Sequence, residues 1–217
     1  MSGRATRTLL ISAAAAGTAA AVHRLARRSG ATGVEAWRRL PGDDLVPRPL
    51  WQSTRAITIG APPRDVWPWI VQMGFPTQRA GWYTPHWLDE LMWGKRPRSA
   101  EEIVPELQDL KVGDTVPDSA DWSVYYTVDE VEPGSHLVLY STRHVFPPLR
   151  SSAFSWAFVL RPIGESATRL LVRARVDYAP AWAYPLVETV IGLGDWVNVT
   201  AMLLTIRTLV ERDGSRT

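Results

Sequence analysis

Along the second half of the chain, apolar and polar positions alternate with a period of two, the pattern of strands with one buried and one wetted face. Trp156, Phe158 and Leu160 fall on one side of their run. Leu170, Val172, Ala174 and Val176 do the same in the next, with Arg173, Arg175 and Asp177 opposite them. Strands are predicted at 51–59, 111–116, 122–131, 136–142, 152–160 and 168–178. Turns such as Glu132-Pro133-Gly134 and Ile163-Gly164-Glu165 separate them, which gives an antiparallel meander.

Helical spacing appears on either side of this meander. A short helix is predicted over 65–73, with Pro62 and Pro63 at its start and Gly74 past its end. A second is predicted over 84–92, with Thr84 as N-cap, Pro85 at the first helical position and Gly94 as the stop. The run 183–212 is long, apolar and helical, with Gly192 and Gly194 as a break and Asp195 able to cap its second part. Trp196, Val197, Leu203, Leu204, Ile206 and Val210 spread over a wide arc, so this helix has to be covered. The concave face of the sheet is the simplest cover.

The N-terminal part has a different character. Thr8 to Val22 is uncharged and alanine-rich, with Arg4 and Arg7 before it and Arg24, Arg27 and Arg28 after it. A membrane anchor, a cleaved signal and a soluble tail all fit this run. As an anchor, its heavier downstream positive charge keeps the folded domain cytoplasmic, membrane-associated through this segment. Pro41, Gly42, Pro47 and Pro49 read as an extended linker. The expected organisation is therefore a tail at 1–35, a linker at 36–50, one domain at 51–212 and a disordered tail at 213–217.

Charge and composition narrow the chemistry. Residues 1–55 carry nine arginines against Glu35, Asp43 and Asp44, a balance of +6. The rest has fifteen basic against nineteen acidic residues, or −4. The basic excess belongs to the N-terminal part, and the domain is not expected to bind nucleic acid. The absence of cysteine excludes disulfides, thiolate catalysis and cysteine-ligated zinc or iron–sulfur sites. Five of the eleven tryptophans (Trp67, Trp69, Trp82, Trp87 and Trp93) crowd one short stretch, as the wall of a pocket or a bulky core requires.

Three stretches resemble the SRPBCC superfamily of START lipid-transfer domains, polyketide cyclases and birch-pollen-allergen-like proteins. They are Ala61-Pro62-Pro63-Arg64-Asp65-Val66-Trp67-Pro68-Trp69-Ile70, then Gly81-Trp82-Tyr83 with Trp87-Leu88, then the run from Pro105 to Asp114. The resemblance covers roughly residues 45 to 212 and is closest to an uncharacterised bacterial subgroup. It implies an α+β helix-grip fold: a curved antiparallel β-sheet with two short helices and a long C-terminal helix enclosing a cavity. It carries no fixed catalytic motif, and the fold hosts many activities.

Candidate chemistry is sparse. Trp82, Tyr83, Trp87, Tyr126, Tyr140 and Trp156 are the candidate ligand-binding side chains; each is equally suited to bracing a core. His86 and Asp89 lie three apart on a helix, the spacing of an acid–base pair, though a solvated helix face has the same spacing. Arg175, if turned inward, would polarise a carbonyl; the wet outer face is its default. Tyr83, His86 and Arg175 are thus the catalytic candidates. His23, His136 and His144 show no ligand spacing, so neither a metal nor another cofactor is expected. The function expected first is binding or transport of a hydrophobic small molecule such as a lipid, isoprenoid or polyketide. A cyclase or dehydratase acting on a polyketide-like substrate is the second, and a membrane-surface interaction module the third.

Overall fold

The computed structural model describes residues 26–143, 145–146, 149–179, 182 and 192–215. Among these, seven strands form one antiparallel sheet: β1 (Trp51–Ile59), β2 (Thr115–Pro117), β3 (Tyr125–Glu132), β4 (His136–Ser141), β5 (Val145–Phe146), β6 (Leu149–Ile163) and β7 (Ala167–Ala179). Their order is β1-β7-β6-β4-β3-β2, with β5 paired to β6 beside this path. The helices are α1 (Gly33–Trp37), α2 (Pro63–Val71), α3 (His86–Trp93) and the long α4 (Gly192–Gly214). This is the helix-grip α+β arrangement expected from the resemblance. The predicted helical stretch 183–191 lies outside the described residues, as does the run at 8–22. Among the described residues no helix is long and apolar enough to cross a membrane.

The period of two settles which side of each strand faces α4. Trp51, Ile59, Leu137, Leu139, Trp156, Phe158, Leu160, Leu170, Val172, Ala174 and Val176 share one core with Val199, Met202, Leu203, Ile206 and Val210 of α4. The register puts Ser53, Ala174, Trp156 and Leu139 in one row across four strands, with Arg55, Val172, Phe158 and Leu137 in the next. The C-terminal turns of α4 close one end of the interior, where Glu211 accepts a hydrogen bond from the Gly60 amide at 2.9 Å. Helix α4 runs on through Gly214, so the expected disordered tail at 213–217 is in part helical. Its last turn carries Arg212, which the C-terminal end of the helix dipole favours.

The outer face of the sheet is covered over β1, β7, β6 and β4. Residues 26–50 lie across it, and the segment expected to be a tail and a linker packs as part of the domain. Leu40 with Ala31 and Leu45 covers Ala56, Val138, Ala157, Val159 and Leu171, a second and smaller core. Helix α1 holds a capping box, in which the Thr32 hydroxyl accepts from the Glu35 amide at 3.2 Å and Glu35 accepts from the Thr32 amide at 2.7 Å. Two glycines let the chain come this close. Both have positive φ, and a methyl group at Gly30 would drive into the Ala56 carbonyl, one at Gly42 into Val138. The Ala56 amide of edge strand β1 donates to the Ser29 carbonyl at 3.3 Å, so the same segment shields part of that edge.

Candidate functional site

Strand β1 should present only apolar residues to the interior, yet two of its inward positions are Ser53 and Arg55. Arg55 is 1% exposed. Its Nη1 donates to Asp195 at 2.5 Å and to the Ser53 hydroxyl at 3.0 Å. Asp195 stands in the first turn of α4, where the helix dipole favours a negative charge. Burial raises the carboxyl of Asp195, while Arg55 and Ser53 pull it back down. Burial likewise raises the phenols of Tyr178 and Tyr126, with Asp195 adding to both, so the hydroxyls stay protonated.

Beside this pair stands an aromatic wall. Trp82 lies 5.1 Å from Trp156 and 6.0 Å from Tyr126, centroid to centroid; Phe154 is 5.4 Å from Tyr126, and Phe158 is 5.0 Å from Trp156. Ser53 and Ala174, paired across β1 and β7, form the floor between Arg55 and Trp156. Among the described residues, five buried donors around this floor find no acceptor: Arg55 Nε and Nη2, and the indole nitrogens of Trp51, Trp82 and Trp156. A donor buried without an acceptor costs about 1–3 kcal/mol, and native interiors hold few of them.

The structure separates the predicted site residues. Trp82, Tyr126 and Trp156 come together in the wall. Tyr140 does not: it sits between the inward Leu139 and Ser141, on the outer face. Trp87 is 65% exposed on α3, away from the interior. Tyr83 is fully buried at φ +59, a left-handed conformation uncommon for a bulky residue. Its hydroxyl accepts from Gln72 at 2.5 Å and its amide donates to Ser99 at 3.0 Å. Gln72 in turn accepts from the Val104 amide at 2.9 Å and from Gln108 at 3.1 Å. Tyr83 therefore pins the 99–108 loop, and burial raises its phenol.

His86 pairs with Glu90 at 3.3 Å, one turn along the helix. Asp89 instead accepts a short hydrogen bond from Thr84. The helix begins at His86 with Pro85 as its N-cap residue, so Thr84 does not serve as the side-chain cap. Arg175 lies on the outer face, as strand alternation predicts, but it is covered and not solvated. It donates to the carbonyl of Val46 at 2.9 Å and to Gln52 at 2.7 Å. Arg173 beside it is 2% exposed and donates to Thr54, Asp43 and the carbonyls of Glu35, Ala36 and Arg38.

A groove of about 420 Å³ opens on this outer side, bounded by Trp37, Asp43, Leu50, Arg173 and Arg175. Its two sheet arginines already donate from every nitrogen to protein acceptors, and Arg27 and Arg28 also line it. Arg55 and Asp195 are not among the candidates that sequence patterns single out. Arg55 had a usable signal: with Trp51, Ser53, Ile57 and Ile59 it occupies the inward phase of β1, where a charge is out of place.

No family model matches the chain, and no curated protein matches it. Several solved structures are similar. Norcoclaurine synthase from Thalictrum flavum is 14% identical, with 80% of this chain and 94% of that one covered and a TM-score of 0.46. A Polyketide_cyc-like protein from Corynebacterium glutamicum is 16% identical, covering 77% and 95%, at a TM-score of 0.45. A protein from Mesorhizobium loti is 19% identical, covering 75% and 98%, also at 0.45.

Proposed function

We propose that the chain binds a largely apolar small molecule between the inner face of the sheet and α4. The observation that carries this reading is the set of buried, unmatched donors against an aromatic wall. Apolar walls with a few convergent polar groups are what small-molecule sites are made of. The same arrangement gives little support to catalysis. Asp195, the carboxylate among these groups, is held by Arg55 and Ser53, and the phenols of Tyr126 and Tyr178 are raised away from acid–base duty.

Native mass spectrometry of the full chain purified from its own host tests this. A stoichiometric small molecule that leaves on denaturation is the expected result. Bare polypeptide, both as purified and after incubation with a mixed lipid extract, overturns the proposal.

A further inference from the structure

The way Arg55 is used identifies the head of that molecule. A guanidinium has five N–H groups in a rigid plane, and the Nε–H and one Nη–H lie parallel along one edge. In Arg55 the Nη1 group serves Asp195 and Ser53, and the Nε and Nη2 groups stay buried without an acceptor. The free edge is the one that grips a carboxylate through two parallel hydrogen bonds. The floor beside it is Ser53 and Ala174, and the apolar surface leading away from it is Trp51, Trp156 and Phe154.

We infer that Arg55 binds the carboxylate of an otherwise apolar ligand, and that Asp195 takes up one proton from solvent as this ligand binds. The inference rests on the interior being the ligand site. Charge balance requires the second half of it. Arg55 and Asp195 already cancel, so another carboxylate would leave one uncompensated negative charge beside a guanidinium that is 1% exposed and a carboxylate that is 20% exposed, which is costly. One proton shared by two carboxylates beside one arginine restores neutrality. Among the described residues, the titratable and charged groups facing Asp195 are Arg55 of β1, Tyr178 of β7 and Tyr126 of β3, with Asp118 acting on Tyr126. The tyrosines are already protonated and the arginine keeps its charge, so the proton goes to Asp195, whose carboxyl burial has raised.

The test is titration calorimetry of the full chain with matched acids and alcohols, palmitate against 1-hexadecanol and 2-naphthoate against 2-naphthol. It is run in two buffers that differ in heat of ionisation. The expected result is that the acid of at least one pair binds about tenfold more tightly or better, with uptake of about one proton per ligand. Arg55→Lys keeps a charge opposite Asp195 but lacks the parallel edge, and should lose that preference. The double variant Arg55→Met with Asp195→Asn removes both charges together and should lose both the preference and the proton uptake. Should the double variant fail to fold, Arg55→Lys decides.

Equal binding of acid and alcohol by the unaltered protein overturns the carboxylate assignment and leaves the interior site standing. No binding of any of the four counts against both. An acid preference that survives Arg55→Lys overturns the role of Arg55. An acid preference without proton uptake overturns the role of Asp195.

Discussion

Arg55 and Asp195 meet at 2.5 Å although 140 residues separate them, so the first strand is tied to the first turn of the last helix. Between them they fix where α4 begins its passage over the sheet. Neither has an easy substitute for the other, because a buried charge that loses its partner costs about 3–5 kcal/mol.

Arg55→Met is accordingly expected to destabilise the chain by about that amount at neutral pH. The loss should be smaller in acid. Without Arg55 the folded carboxyl of Asp195 stays raised above its unfolded value, so stability falls as pH rises from the unfolded pKa toward the folded one. Denaturant melts of both proteins at pH 5 and pH 7 check this. An effect that is the same at both pH values would contradict it.

Arg173 organises the other face. Replacing it with methionine takes one of two arginine partners from Asp43, leaving Arg175 at 3.4 Å, and removes the guanidinium donors to the carbonyls of Glu35, Ala36 and Arg38 at once. A loss of about 3–5 kcal/mol is expected, together with faster proteolysis within residues 30–50. Urea unfolding and limited trypsin digestion measure the two effects. A change within about 0.5 kcal/mol, typical of a surface site, would show that the clasp contributes nothing.

Glu35 reports on the same clasp through pH. The hydrogen bonds from Arg169, with help from Thr32, lower its carboxyl from 4.5 to about 2. A depressed folded pKa means that the contribution is fully present above the unfolded value and is lost as pH falls through the folded one. The stability difference between the unaltered chain and Glu35→Gln should therefore be flat above pH 4.5 and shrink between pH 4.5 and about 2. A difference that stays constant down to pH 2 would assign the bonds to the wrong partner.

Tyr83→Phe removes a single hydrogen bond, and Gln72 keeps its donation to the Glu102 carbonyl at 3.2 Å. A loss of about 0.5–1.5 kcal/mol is expected, with any co-purifying ligand retained at full occupancy. Thermal melting and native mass spectrometry together check it. Loss of the ligand with stability unchanged would return Tyr83 to the binding site.

Much of the architecture was legible because strand alternation reports directly on burial. The β1 prediction matches the observed Trp51–Ile59, and the inward rows of β6 and β7 are those predicted. The covering segment was not legible, since Pro41, Gly42, Pro47 and Pro49 have the composition of a linker. What fixes 26–50 in place is instead tertiary: Arg169, Arg173 and Arg175 on β7 reach backbone and carboxylate acceptors more than 100 residues earlier. The aromatic wall was legible in part. Tyr140 was misplaced because its strand is apolar on both faces, so Leu137, Val138 and Leu139 give no period of two from which to assign a side. Gln72, Arg55 and Asp195 act through partners far along the chain, and no local pattern announces such pairings.

The clasp of residues 26–50 also limits how far the domain can stray from its own N-terminal segment. Ala26 is already buried, and only three residues separate it from Val22, the last of the alanine-rich run. The four residue steps from Val22 to Ala26, fully extended, span about 14 Å. A surface or partner that engaged that run would be tethered within that span of the segment that covers the sheet.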